Sequence, residues 1–221
     1  MISSCIKDVD TLIFEINKVI SKKRDIKKAI TYQLLKGDFR LPGYTKKWNA
    51  KPLSELLVYE QPTRYLVKSK EYSNVNQVPV LTAGKTFILG YTSEVNGIYD
   101  NFPVILFDDF TTATQYVNFP FKVKSSAMKL LKGKNSSVNL RFIYEVMQLI
   151  EFGLTEHKRY WISEFQHIQV LIPDENEQAD IMEIILDIES EISAYEAQLS
   201  KIVMLRQGML QGLLKGRTRL I

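Results

Sequence analysis

Few residues in this chain have the types and spacing to do chemistry. Asp108 and Asp109 follow the apolar run Pro103-Val104-Ile105-Leu106-Phe107. Paired carboxylates at a strand end can hold a divalent cation, but no acid-x-Lys partner strand of nuclease type follows, which leaves a turn or polar-contact role. His157 sits in the basic loop Glu156-His157-Lys158-Arg159-Tyr160, where a side chain can touch a phosphate, and His167 lies beside an apolar stretch, where a structural role fits. Cys5 is the sole cysteine, so no internal disulfide forms, and one cysteine with two histidines is a poor zinc inventory. No phosphate-binding Gly-rich loop, Gly-x-Ser-x-Gly or paired-cysteine motif occurs. No cofactor and no metal are expected.

Asn118-Phe119-Pro120-Phe121 resembles the Asn-Pro-Pro-Phe tetrapeptide of DNA adenine methyltransferases, with Phe in place of the first Pro. A Phe-x-Gly-x-Gly loop for the methyl donor is missing, and a complete methyltransferase domain has no room beside the long helices described below. Catalysis through Asn118 is not expected.

Charge says more than motifs. The net charge is +4, yet residues 42–172 carry 15 Lys and Arg against 11 Asp and Glu, while the flanks carry 14 of each. The whole excess sits in the middle. Residues 110–144 hold Lys122, Lys124, Lys129, Lys132, Lys134 and Arg141 and no acid. A field of that sign attracts phosphate; charge alone leaves a solvated lysine face equally open. No run of about 18 apolar residues exists and no secretory signal is visible, so a cytoplasmic protein without a membrane span is expected.

The elements that must position these residues announce themselves by repetition. Leu34-Leu35-Lys36-Gly37 recurs as Leu213-Leu214-Lys215-Gly216, and Arg40-Leu41 recurs as Arg219-Leu220 at the same offset of 179. Each copy has a heptad seam. In the first it runs Ile6, Val9, Ile13, Ile16, Ile20, Lys23, Lys27, Ile30, Leu34; in the second Ile181, Ile185, Ile188, Ile192, Tyr195, Leu199, Ile202, Arg206, Met209, Leu213. A 3.5-residue period keeps one stripe facing a partner helix. Two long coiled-coil helices packing antiparallel are expected. The basic seam residues are expected to snorkel outward and loosen the packing. Asp174 with Glu177 resembles a capping box, and Gly37 and Gly216 suit the left-handed position past a helix end.

The middle reads as mixed: two short runs around a turn at Thr82-Ala83-Gly84-Lys85, a strand at 103–107, another over Tyr116–Val123, a helix over Asn139–Gly153 and a returning strand at Ile168–Ile172. The fold class is α+β, a globular mixed domain flanked by two long antiparallel helices, with boundaries 1–37, 38–172 and 173–221.

Three stretches resemble the specificity (S) subunits of Type I restriction–modification systems. They are Leu34-Leu35-Lys36-Gly37-Asp38-Phe39-Arg40-Leu41-Pro42-Gly43-Tyr44 with Trp48; Pro103 to Thr112 continuing to Phe119-Pro120-Phe121-Lys122-Val123-Lys124; and Ile172-Pro173 with Glu177-Gln178, Ile181 and the closing heptads. The resemblance implies a target recognition domain between two spacer helices, reading double-stranded DNA. It implies docking of methyltransferase (M) and restriction (R) subunits that carry the catalysis. With one such domain where the family has two, the chain looks like a half-subunit, and a homodimer would restore the pair. On this reading Lys85, Tyr91, Thr92, Thr111, Thr112, Thr114 and Gln115 are candidates for base edges, and Lys122, Lys124, Lys129, Lys132, Lys134, Lys158 and Arg159 for phosphates. The alternative is a coiled-coil adaptor that binds no DNA.

Overall fold

The computed structural model describes residues 2–73, 75, 77–84, 86–154 and 158–214. The chain divides into two compact units, Met1–Phe39 with Ile181–Ile221, and Arg40–Asp180.

The first unit is a pair of long helices, α1 (Ile2–Lys36) and most of α5 (Glu175–Leu214). Cross-helix ion pairs join Asp10 to Arg206, Lys23 to Glu191 and Lys27 to Glu189. One partner's number falls as the other's rises, so the helices run antiparallel. Along α1 from residue 6 onward the shielded positions are Ile6, Val9, Ile13, Ile16, Ile20, Lys23, Lys27, Ile30, Thr31, Leu34 and Leu35, while the rest is exposed. Ile16, Ile20 and Ile192 form the buried centre, with Ile188, Tyr195, Leu199 and Ile202 packed half-buried around it. Two helices alone cover only one stripe, so Ile13 and Leu199 stay half-exposed.

Lys23, Lys27 and Arg206 do not loosen the seam. Their stems remain in it and their charged ends meet acids from the opposite helix; Arg24 adds an ion pair with Glu196. Solvent screening leaves such surface pairs little net stabilising value, so they set register more than stability. Met209 departs from the expected stripe: it is 38% exposed while Leu210 is shielded. A straight helix of 3.6 residues per turn outruns a 3.5 repeat, and the shielded stripe slides by one residue. Gly37 ends α1 in the left-handed region at φ 74, its amide donating to the Leu34 carbonyl. Gly216 and Leu213 lie where side chains are not described.

Among the described residues the second unit contains three sheets. Strands β1 (Asn49–Pro52) and β9 (Gln169–Ile172) pair antiparallel, and the short helix α2 (Leu53–Leu56) follows β1. The central sheet is antiparallel in the order β2 (Leu57–Glu60), β8 (Met128–Gly133), β5 (Val104–Asp108), β6 (Thr114–Val117). The third runs β4 (Ile88–Thr92), β3 (Val78–Leu81), β7 (Lys122–Val123), with β3 parallel to β7. Tyr116–Val123 is therefore two strands in two sheets, broken at Asn118–Pro120.

Strand alternation splits the central sheet's side chains between two cores. Val104, Leu106, Met128 and Leu130 join Leu81, Val123, Tyr99 and Phe121 in one of them. From the sheet's opposite face Phe107 meets Trp161 and Phe165, with ring centroids 5.2 and 5.0 Å apart. Trp161 belongs to α4 (Tyr160–Ser163), and α3 (Leu140–Gln148) packs against β6 and β5. Asn139 caps α3 by accepting from the Phe142 amide.

The start of α5 is fixed inside this unit. Asp174 accepts from the Glu177 amide, as the capping box requires. The buried Glu177 carboxylate takes both arms of the Arg40 guanidinium and the Trp48 indole N–H. Gln178 donates to the Pro173 carbonyl and accepts from the Asn139 amide.

Replacing Ile192 with Asp places a charge in the seam centre and is expected to cost on the order of 3 kcal/mol. Thermal unfolding followed by circular dichroism checks this; an unchanged melting temperature would count against the seam.

Candidate nucleic-acid interface

The topology gathers several loops at one end of the central sheet. Strand β5 ends at Asp108 opposite Met128, the first residue of β8. The β5–β6 turn, the segment leading into β8 and the start of α4 therefore meet. Lys124 is on that segment, its amide bonded to the Leu81 carbonyl where β3 ends, so the β3–β4 turn closes the same rim.

Asp109 binds this rim together. Its amide donates to the Ala127 carbonyl, and its own carbonyl accepts from the Tyr160 amide. Its Oδ1 accepts from the Trp161 amide at 2.8 Å, and its Oδ2 is 3.2 Å from the Lys129 ammonium. Both partners of that ion pair are 1% exposed. The ammonium also lies 5.3 Å from the centre of the Tyr59 ring.

Asp108 shapes the turn next to it: its Oδ1 accepts from the Phe110 and Thr111 amides, and its carbonyl accepts from the Thr112 amide. Thr112 sits at φ 55, in the left-handed region. A β-branched residue pays about 1–2 kcal/mol there, because its side chain crowds the following carbonyl. Thr111 is exposed and Thr112 half-exposed. The Arg159 guanidinium lies 6.0 Å from the centre of the Phe110 ring, so this exposed cation stands beside the turn. Lys158 pairs with Glu164. Thr114, the first residue of β6, accepts a hydrogen bond from Gln148 at the end of α3. Arg141 lies between Tyr116 and Tyr144, 5.0 and 5.3 Å from the ring centres.

The other candidates fall elsewhere. Lys122 is 2% exposed, paired with Glu94 and donating to the Asn96 carbonyl. The Ser69 amide and then Lys122 hold the Glu94 carboxyl below the usual carboxylate value against the effect of burial. Gly97 follows at φ 67, where an added Cβ would meet the Arg64 carbonyl at 2.3 Å and Lys122 at 3.3 Å. Lys122 and Lys129 are thus buried ion-pair members, not phosphate contacts: each sits in a strand whose neighbours are core residues, and each meets a buried or half-buried acid. Thr92, 2% exposed, is likewise closed to a base. Tyr91 lies opposite Pro79, away from the β3–β4 turn. Lys132 pairs with Glu60, which it holds, with help from Tyr65, below the usual carboxylate value. Lys134 is exposed past the end of β8, roughly 17 Å of strand away from the rim. Lys124, on the rim segment itself, donates to the Tyr72 hydroxyl. Gln115 pairs with Leu106 within the sheet. Lys85 and His157 lie outside the described residues. Phe121 of the Asn118-Phe119-Pro120-Phe121 tetrapeptide is fully buried against Tyr99.

Comparison with known proteins gives the rim its context. The chain is 49% identical over 138 residues to the Type I restriction enzyme EcoR124I/EcoR124II specificity subunit of Escherichia coli. This chain is its homologue. The match covers 60% of this chain and 34% of that specificity subunit, so the chain spans about a third of its length. The fold agrees with the crystal structure of the Type I system S subunit from M. genitalium, with a TM-score of 0.73 at 15% identity, covering 96% of this chain and 59% of that one. A chain from a structure of type I R-M complex assembly and conformational transition gives a TM-score of 0.51 at 15% identity, covering 95% of this chain and 57% of that one. No family model matches the chain. The two long helices and the mixed unit thus share the fold of the M. genitalium S subunit.

Sequence reasoning missed β8, the strand that makes Lys129 internal. The signal was present in Met128-Lys129-Leu130-Leu131-Lys132, where the apolar residues occupy both faces of a strand. Lys129→Met is expected to cost about 3–5 kcal/mol, because it leaves the Asp109 carboxylate buried and unpaired. The double change Asp109→Asn with Lys129→Met, which removes both charges and keeps an acceptor for Trp161, should recover most of it. Urea unfolding of the three proteins checks this; a single variant as stable as the parent would remove the pair from the account.

Proposed function

We infer that this chain is a sequence-specific DNA recognition module of a Type I restriction–modification complex, directing adenine methylation and cleavage by partner methyltransferase and restriction subunits. The chain performs neither reaction itself. The observation that carries this reading is the 49% identity over 138 residues to a specificity subunit. The geometry supports it: the Thr111 and Thr112 hydroxyls, suited to groove edges, share one rim with the exposed Arg159, and Lys158 and Lys124 flank them. Phosphate contacts would fix the register and the turn would read sequence. Among the described residues no group of three His, Cys, Asp or Glu side chains is placed to hold a metal ion, and no helix is long and apolar enough to cross a membrane.

The helical unit supplies the surface for protein partners. Phe14, Met204 and Leu205 are each about two-thirds exposed, an apolar display that suits docking of a methyltransferase subunit or a second copy of this chain. The same side chains favour the second reading, an adaptor that binds proteins and no DNA.

Fluorescence anisotropy of the purified chain with random-sequence duplex DNA, repeated over a salt series, separates the two. The DNA reading expects the logarithm of affinity to fall with the logarithm of salt at a slope steeper than about −2, near 0.9 for each phosphate contacted. Absent or salt-independent binding favours the adaptor. Incubating the pure chain with DNA and a labelled methyl donor is expected to give no incorporation; incorporation would overturn the non-catalytic assignment.

A further inference from the structure

Among the described residues Thr112 is the only one other than glycine in the left-handed region. The chain places glycine at comparable positions elsewhere: Gly37 at φ 74, Gly43 at φ 90 and Gly97 at φ 67. A glycine at 112 would relieve the conformation, yet a β-branched side chain is kept there. Packing gives no reason for it, since Thr112 is half-exposed and absent from the buried core. Strain retained on a solvent-facing side chain is a mark of function.

The hydroxyl's chemistry is fixed by its one described contact. Thr112 Oγ1 lies 2.7 Å from the Thr111 carbonyl oxygen. A carbonyl only accepts, so the hydroxyl proton is committed to it. What remains on Thr112 Oγ1 is lone pairs, which makes it an acceptor toward any ligand. In the major groove the complementary donors are the exocyclic amino groups, N6 of adenine and N4 of cytosine; guanine and thymine present acceptors there. The turn is held firmly enough to discriminate. Asp108 ties the Phe110, Thr111 and Thr112 amides, and Asp109 ties the same turn to β8 and α4. Arg159 precedes α4 directly, so the anchor that fixes the turn also fixes a cation beside it.

We propose that the β5–β6 turn is a base-reading element of this chain. Thr112 Oγ1 accepts from the amino group of an adenine or cytosine, and Arg159 holds a neighbouring phosphate. Asp109 and Lys129 are positioning residues for that turn. This rests on the DNA-recognition reading above.

The test selects bound DNA from a random duplex pool with the full chain and sequences it, for the parent, Thr112→Gly, Thr112→Ser and Arg159→Gln. The parent is expected to enrich a motif. Thr112→Gly is expected to melt no lower than the parent and to lose preference at a position where the parent favours adenine or cytosine, by roughly tenfold. Thr112→Ser keeps the acceptor and should keep the motif. Arg159→Gln should keep the motif, weaken binding to all sequences and flatten the salt slope by about one unit. A Thr112→Gly variant that keeps the whole motif, melts below the parent or loses a preference for guanine or thymine overturns the proposal while leaving DNA recognition standing. An unchanged affinity and slope for Arg159→Gln removes the phosphate anchor. A parent that binds no DNA brings down the DNA reading and this proposal with it.

Discussion

A carboxylate buried to 1% exposure cannot be left without compensation, and Asp109 is where this unit meets that demand. Its charge is balanced by Lys129 from β8 and its other oxygen by the Trp161 amide of α4. Its backbone adds bonds to Ala127 and Tyr160. Three parts of the chain separated by dozens of residues are thereby fixed around one side chain. A buried pair of this kind contributes little net stability compared with a well-packed apolar substitute, because desolvation consumes most of the attraction. Its value is specificity of arrangement, since few other packings satisfy both charges. The turn at 108–113 and the cation at Arg159 inherit that arrangement.

The helical unit shows which physical information a sequence carries in the open. Period is local, so the 3.5-residue spacing from Ile6 to Ile30 and from Ile185 to Ile202 marks the shielded stripe of each helix. The fate of Lys23, Lys27 and Arg206 was not legible in the same way. Whether a seam cation snorkels or pairs depends on what the antiparallel partner places opposite it, and Glu191, Glu189 and Asp10 acquire that role only once the register exists. The same holds for Arg40, Trp48 and Glu177, whose contact joins residues about 130 positions apart.

The mixed unit was legible in outline and misread in its charges. The strand expected at 103–107, the helix beginning near Asn139 and the turn following Leu81 are legible in apolar runs and turn residues, though the helix stops at Gln148, short of Gly153. The acid-free stretch 110–144 suggested a continuous basic face, yet β7 and β8 thread it through the core. Lys122 and Lys129 point inward because each has an acid supplied from another strand or loop, Glu94 and Asp109. A one-dimensional charge count cannot distinguish a lysine facing phosphate from one facing a buried carboxylate; that takes the pairing of β8 with β5 and β2. Thr112 was legible as a polar turn residue, but its left-handed backbone was not, because nothing in the sequence Asp-Phe-Thr-Thr-Ala marks threonine for it.

On the reading proposed above, the rim built around Asp109 faces DNA. Backbone amide exchange of the full chain with and without duplex DNA reads that surface directly. The expected result is slowed exchange in segments covering residues 109–115 and 158–161, with residues 130–134 at the far end of β8 unchanged. Slowing confined to 130–134, or none in the mixed unit while DNA is bound, would contradict it.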